Sequence, residues 1–596
     1  MRLAYKWQVA LIGALGLFMA ILDTTIVSVA LPQMQTYFHT DRDTITWVAN
    51  GYLLASAAII PITGYLSDRI GAKLVFLSSL ALFTVGSALC AIAPNEQALI
   101  AFRVFQGLGG GALMPIVLAL VYRVFPPEER GGATAVVGVP ILLAPAFGPT
   151  VGGYLTTTFD WHAIFTINLP IGVIAFILGA MFLKGRAQAT ADGSTGEELP
   201  DTGRFDFGGL ILSIAGFTAI VYGISRAGST SWTDQWVLIS LIGGAVLLVV
   251  FTIAELNVSD PVMDVRLFLN YTFTSANILT WAISGFLFGG VYLLPIFFQT
   301  VQGHNALQSG EFVIVQGLGA AIATGVAGRL YNTLGPKVLA VAGFVLVTAG
   351  TWQLAHLEPT TSWQSLQAWL FLRGLGLGAV NIPLQTLVMS VVSNKQMARA
   401  SSLVSVTRQS FGAIGLAALT TVFTQNFANY TSAHSAEIKA AATAYTKQQV
   451  TNATTAAVKA YTAGSPTDPT TPLGKLTAQC AAPYGATAAQ HAAQIQACVQ
   501  GKAQQYGASF AANYAQTHAA QLAAAAKNYA TQWAMQHVIP IAGTHALNDA
   551  FWICFIGCAI GIVLALLLGN DPTLKAAKEA RKRGEQVEAR SMVMSE

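Results

Sequence analysis

Charge is what this sequence has least of: Asp, Glu, Lys and Arg make up 10% of its 596 residues, against about 25% in an ordinary soluble domain. Hydrophobic residues make up 54%, so water is not the solvent for most of the chain. The signatures of several enzyme classes are missing as well. No GxxxxGK[ST] phosphate loop occurs, which argues against an ATP-driven motor on this chain. The nine histidines show no HExxH or other paired metal spacing, and there is no GxSxG elbow, so neither a metal site, a cofactor nor a hydrolase set is expected. The net charge is only +4. The basic tail Lys575, Lys578, Arg581, Lys582, Arg583 and Arg590 is interleaved with Glu579, Glu585 and Glu588 and follows an apolar run, so nucleic-acid binding is not expected either.

What is present is apolar length. A bilayer span takes about 20 apolar residues, and fourteen such runs lie near 8–31, 47–66, 73–92, 97–123, 133–156, 162–183, 207–225, 236–256, 274–299, 311–330, 337–355, 364–391, 402–425 and 548–569. An all-α polytopic membrane protein is the expected fold class. The first run is too long for a signal-peptide core and has no clear cleavage site, so it reads as a retained helix. Short loops alternate sharply in charge: Arg69, Lys73, Arg123, Arg130, Lys184, Arg266, Arg329, Lys337, Lys395 and Arg399 fall on one side with the tail, while the other short loops offer Arg42 and Arg226. The positive-inside rule makes the basic side cytoplasmic, with both termini there.

Gly64-Tyr-Leu-Ser-Asp68-Arg69-Ile-Gly71-Ala-Lys73 has a degraded copy in the second half of the chain, Gly328-Arg329-Leu-Tyr-Asn332-Thr-Leu-Gly335-Pro-Lys337. Two related halves explain it, and inward loops of this kind move when one half rocks against the other. The plan read from the sequence is a bundle over 1–184, a polar linker over 185–206, a helix pair over 207–256, and a second bundle over 257–429. It continues with an Ala-rich outer loop over 430–545, a last span over 546–570 and a basic tail over 571–596. The outer loop is too long to be structureless, and Ser435–Tyr461 and Ala488–Met535 favour helix, so a helical hairpin is expected. Cys480 and Cys498 lie in this oxidising-side loop, as a disulfide or as two free thiols.

Few polar residues sit inside spans, and each is a candidate. Asp23 lies within the first run, where a carboxylate costs about 3 kcal/mol on insertion scales and commonly faces a cavity. A proton-coupling or substrate role competes with a purely structural helix contact. Arg103, in the fourth run at a similar depth, is its natural partner, unless it snorkels to the surface. Arg373 and Arg408 also fall within spans, so the pathway should lean positive, favouring neutral, anionic or zwitterionic amphiphiles over dications. Thr24, Gln106, Phe288, Tyr292 and Asn381 complete the pathway candidates, helix nine being rich in aromatics such as Trp281, Phe288 and Tyr292. Asp68 would cap or face the start of helix three, with Arg69 and Lys73 on carbonyls or lipid phosphates, when an inner gate shuts. Gly148, Pro149, Gly152 and Gly153 combine close packing with freed carbonyls, so they serve either packing alone or a pliable helix.

Together these motifs resemble the major facilitator superfamily, in particular its fourteen-helix drug:proton antiporter branch of the EmrB/QacA type. Gly64–Lys73 is similar to the loop 2–3 signature, Arg103-Val-Phe-Gln106-Gly107 to the helix-four arginine motif, Gly148–Gly153 to the antiporter motif, and Leu22-Asp23-Thr24-Thr25 through Pro32 to a motif of this branch. The resemblance implies two six-helix bundles with a linking helix pair, alternating access, and exchange of inward protons for outward amphiphilic drug. It would make Asp23 and Arg103 coupling residues and Gly64, Asp68, Arg69, Gly71 and Lys73 gate residues. The expected partners are protons, an amphiphilic small molecule and the lipid bilayer of a bacterial cytoplasmic membrane. A periplasmic adaptor and outer-membrane channel are added in some members. An exporter dedicated to one metabolite, and a non-transporting receptor or scaffold acting through the outer loop, are the alternatives. Aligning Gly374-Leu-Gly376 with Gly107-Leu-Gly109 puts Leu370 opposite Arg103, so coupling should belong to the first half.

Overall fold

The computed structural model describes residues 4–185, 206–229, 231–258, 260–304, 306–569, 571–572 and 574. The linker read over 185–206 and the tail over 571–596 fall almost entirely outside these residues. The chain divides into two compact units, Met1–Gln425 with Gly543–Glu596, and Asn426–Ala542.

The first unit is built of long helices, because a backbone in hydrocarbon must satisfy its own hydrogen bonds. Its first half comprises α1 (Tyr5–Phe38), α2 (Arg42–Ile70), α3 (Ala72–Ala91), α4 (Glu96–Val124), α5 (Arg130–Thr158) and α6 (Ala163–Phe182). A pair follows, α7 (Phe207–Ser229) and α8 (Gln235–Asn257). The second half has α9 (Tyr271–Ile296), α10 (Ala306–Leu334), α11 (Pro336–Leu354), α12 (Trp363–Ser390), α13 (Met397–Ala433) and, after the second unit, α18 (Ile539–Leu566). Among the described residues twelve helices are long and apolar enough to cross a membrane. With helices α9 and α12, of 26 and 28 residues, the described residues hold fourteen long helices in this plan. Side-chain caps recur at helix starts: Asp41 accepts from the Thr44 N–H and Asn95 from the Ala98 N–H, both at 2.8 Å, each worth about 1 kcal/mol.

Helix α1 runs past Leu31-Pro32 to Phe38, further than the apolar run alone indicates. Proline inside a span bends a helix without ending it, because neighbouring groups satisfy the freed carbonyl. The internal repeat is visible in backbone geometry. Gly71 and Gly335, at corresponding positions of the two copies, both hold positive φ, 93° and 81°, at the turns into α3 and α11, a region that only glycine occupies cheaply. The two halves meet most extensively along α5 and α10. There Gly131 abuts Gly328, and Gly317 faces Ala146, so small residues let the helices close to backbone contact. A water-sized void of about 20 Å³ remains in this seam, beside Pro145, Gln316 and Leu377.

The second unit is more than a hairpin. It contains α14 (Ser435–Tyr461), α15 (Pro472–Ala481), α16 (Ala492–Thr517) and α17 (Ala519–His537). The expected single helix over 488–535 is broken at His518, and both pieces pack on α14. Every-fourth-residue burial of Leu522, Ala526, Ala530 and Ala534 gives α17 a small-residue stripe. Tyr445–Tyr529 and Tyr461–Tyr506 stack across the seams with centroids 4.5 and 4.1 Å apart. Cys480 and Cys498 form a disulfide joining the end of α15 to α16.

Candidate functional site

Deep in the first half, Asp23 of α1 is fully buried, and its carboxylate has three donors. Arg103 Nη1 of α4 donates to Oδ2 at 2.6 Å, while Gln106 Nε2 and Asn168 Nδ2 donate to Oδ1 at 3.1 and 2.8 Å. Arg103 is fixed from three further directions. It donates through Nη1 to Gln106 Oε1 at 2.7 Å and through Nε to the Val48 carbonyl at 3.0 Å, and its guanidinium lies over the Tyr52 ring at 4.3 Å. Asn168, at the start of the long part of α6, also donates to Ser87 Oγ at 3.1 Å, and Ser87 donates to the Phe165 carbonyl at 2.9 Å. The Oδ1 of Asn168 is buried without a partner among the described residues.

This geometry excludes the snorkelling alternative for Arg103, which is 1% exposed. Asp23 lies fifteen residues from the end of α1 at Phe38, because that helix is longer than its apolar run. The sequence reading missed Asn168, Ser87 and Tyr52. The signal for Asn168 was an amide in an otherwise apolar run, Thr166-Ile-Asn168-Leu-Pro170.

At the basic face a second network joins the halves. Asp68 is fully buried and takes Arg123 Nη2 of its own half at 2.8 Å and Arg399 Nε of α13 at 2.9 Å. Arg399 continues to Asp260 at 2.6 Å and to the Pro261 carbonyl at 2.9 Å. Two further bonds to backbone groups join the halves here, from the Gly64 N–H to Ser402 Oγ and from Ser401 Oγ to the Pro115 carbonyl, both at 2.8 Å. A side chain at Gly64 would collide with the Ala398 carbonyl. Asp68 does not cap α3, whose start receives no side-chain bond, because two arginines offer a buried carboxylate more than a helix end does. Arg69 lies against Tyr65, 3.7 Å from Asp260, and Lys73 donates to the Ala180 carbonyl at 2.9 Å. Gly71 supplies the turn between them. Arg123 and Arg399, which in the sequence look like loop charges alone, are central here.

The remaining candidates are dispersed. Gly148 abuts Thr25 and Gly152 abuts Ile26, so with Pro149 they let α5 lie on α1, and Gly153 is buried beside them. Thr24 bonds back to the Ile21 carbonyl at 2.7 Å. Arg373, fully buried in α12, donates to Gln316 Oε1 at 2.7 Å, to the Phe286 carbonyl at 3.0 Å and to Thr351 Oγ1 at 3.3 Å. Arg408 Nη1 is buried without a hydrogen-bond partner among the described residues. Tyr292 is 51% exposed and Asn381 half-buried, whereas the side chain of Phe288 is outside the described ones. Glu255, in the last turn of α8, is 1% exposed, accepts from the Val262 N–H at 3.2 Å and shares the surroundings of Gly209 with Asp206.

The sequence profile of the Major Facilitator Superfamily matches residues 13–416. The chain belongs to that superfamily. A multidrug resistance protein B homolog of Mycobacterium tuberculosis is 36% identical over 414 residues, which cover 69% of this chain and 74% of the relative. Multidrug export protein EmrB of Escherichia coli is 31% identical over 428 residues, covering 71% and 81%. This superfamily member is therefore of the EmrB/QacA type, a multi-pass transporter rather than an enzyme. The crystal structure of the human organic anion transporter MFSD10 shares the fold, with a TM-score of 0.54 at 16% identity over 70% of this chain and 94% of that one.

Proposed function

We propose that this chain is a proton-coupled exporter of amphiphilic small molecules in a bacterial cytoplasmic membrane, with the basic face and both termini in the cytoplasm. The observation that carries the reading is the buried Asp23–Arg103 pair, a titratable anion held against a fixed cation away from bulk solvent. The names of the relatives, multidrug resistance protein B and EmrB, agree with it.

The mechanism follows from the hydrogen bonds. Ionised Asp23 has donors on both oxygens, so it is satisfied as an anion. A proton arriving from the outer side removes the attraction to Arg103 and creates an O–H that needs an acceptor. The Oδ1 of Asn168 supplies one once the amide turns over. Release of Arg103 then loosens α4 against α1, and the gate at Asp68 and Arg399 is the bistable element this biases. In the present arrangement that gate is shut. Protons bound from outside would favour its opening to the cytoplasm, and substrate bound there would reverse the cycle.

The test is transport by purified protein in everted-orientation proteoliposomes, with an imposed proton gradient and fluorescent amphiphiles of each charge. Gradient-driven accumulation of at least one class is expected. A full panel that ignores the gradient refutes the drug-antiport reading and favours a dedicated metabolite exporter. Deletion of residues 435–540 is expected to leave export intact; loss of it would favour a role for the outer unit instead.

A further inference from the structure

Helices α9 and α13 run parallel and in register. Trp281 stacks on Phe411 with ring centroids 4.3 Å apart and planes within 6°. One turn further along, Gly285 meets Gly415 backbone to backbone. Both pairs keep the same offset in sequence, so one turn the other way brings Asn277 and Ile278 level with Thr407 and Arg408. This stretch of the two helices carries polar atoms that the protein leaves unanswered. Among the described residues, Arg408 Nη1, Trp281 Nε1, Ser405 Oγ, Ser410 Oγ and Asn277 Oδ1 are all buried without a hydrogen-bond partner.

Unanswered buried groups are costly, and a charged one within a span most of all. The contrast with the other two deep arginines is informative: Arg103 has a carboxylate, and Arg373 has three neutral acceptors. Of these groups the guanidinium and the indole N–H can only donate, the hydroxyls can donate or accept, and the Asn277 oxygen accepts. Beside it Phe411 keeps 40% of its surface exposed, on a ring held rigid by Trp281.

We propose that Arg408, Trp281 and Phe411 form a substrate subsite for aromatic amphiphiles bearing an oxyanion, the guanidinium and indole N–H taking the anion and the Phe411 face taking the ring. This rests on the exporter reading above and specifies its substrate class. An oxyanion would supply the acceptor that each of these buried donors lacks, and charge-assisted bonds are the strong ones. A cation placed here would meet Arg408 repulsively, and a neutral amide would leave the arginine charge uncompensated.

The test uses direct binding to the full chain in nanodiscs, read by the fluorescence of three dansyl probes: dansylglycine, dansylglycinamide and dansylcadaverine. Wild type is expected to bind the carboxylate at least tenfold more tightly than its amide and more tightly still than the amine. Arg408→Gln should erase the carboxylate-over-amide preference, Arg408→Lys should retain part of it, and Trp281→Leu should weaken carboxylate and amide together. Size-exclusion profile and melting temperature confirm that each variant is folded. Equal affinities in wild type, or a preference unchanged in Arg408→Gln, overturns the proposal. Gradient-driven transport of dansylcadaverine alone would leave the exporter reading standing without this subsite. Carboxylate-selective binding with no transport of any probe would keep the subsite and remove the exporter.

Discussion

Replacing Asp23 by asparagine keeps the shape of the side chain while removing the anion paired with Arg103. Breaking a buried pair by deleting one partner costs about 3–5 kcal/mol, because the other charge stays desolvated. Here Arg103 would keep Gln106 Oε1 at 2.7 Å, the Val48 carbonyl at 3.0 Å and the Tyr52 ring at 4.3 Å. The lower end, about 3 kcal/mol, is therefore expected. Adding Arg103→Gln removes the orphaned charge, so the double variant should be more stable than the two single losses predict, by at least about 1 kcal/mol. Stability would be read by thermal unfolding in detergent. Function separates in proteoliposomes into gradient-driven accumulation and exchange of labelled for unlabelled substrate at equal pH. Asp23→Asn should abolish the first and leave exchange measurable. Gradient-driven accumulation at wild-type rates in this variant would refute Asp23 as the proton carrier. Unaltered stability of the single variant would mean that the pair contributes nothing.

Asn168→Ala removes a donor from ionised Asp23 and the acceptor assigned to its protonated form, so the pH at which transport is half-maximal should move while substrate affinity stays within about twofold; an unmoved profile counts against the amide turning over. Arg399→Gln leaves Asp68 with Arg123 alone and should shift the closed state toward the one open at the basic face by about 1–2 kcal/mol, roughly tenfold in population. Labelling of single cysteines along α13 near Ser402 should rise accordingly. Cys480→Ser opens a link between residues 18 apart, worth about 3 kcal/mol by chain entropy. The second unit should then be cut by protease faster than in wild type, while gradient-driven transport persists.

The number and order of spans were legible because apolar length is a strong one-dimensional signal. Their ends were not. Pro32 stops an apolar run without stopping α1, and the helices that leave the bilayer continue on Ala, Thr and Gln, which carry helix propensity without hydropathy. The Asp23–Arg103 contact was within reach of sequence, since two opposite charges at similar depth in hydrocarbon have few other partners. Its remaining parts were not, because Asn168 and Ser87 are uncharged and abundant as types. The network at Asp68 was the least legible, as it joins residues 331 apart and its arginines look like ordinary loop charges that fix topology.

The two halves also explain where coupling can reside. Side chains at Gly107, Gly109 and Gly111 would strike α2 and α3 at Tyr52, Phe83 and Ser56, and Gly374, Gly376 and Gly378 face the matching backbones of α10 and α11 at Gln316, Val347 and Ala320. Laying one glycine triplet on the other puts Arg373 in the place of Gln106 and Leu370 in the place of Arg103. Leu370 is fully buried, and the partners of Arg373 are an amide, a carbonyl and a hydroxyl. None of these takes up a proton in the physiological range. The second-half arginine thus keeps a scaffold of the repeat without its titratable anion, so the change of pairing proposed for Arg103 has no counterpart there. Arg373→Gln should consequently lower stability, since three buried acceptors lose a donor, yet leave the proton-to-substrate ratio of wild type. A changed ratio in that variant, measured by simultaneous pH and substrate flux, would move part of the coupling into the second half.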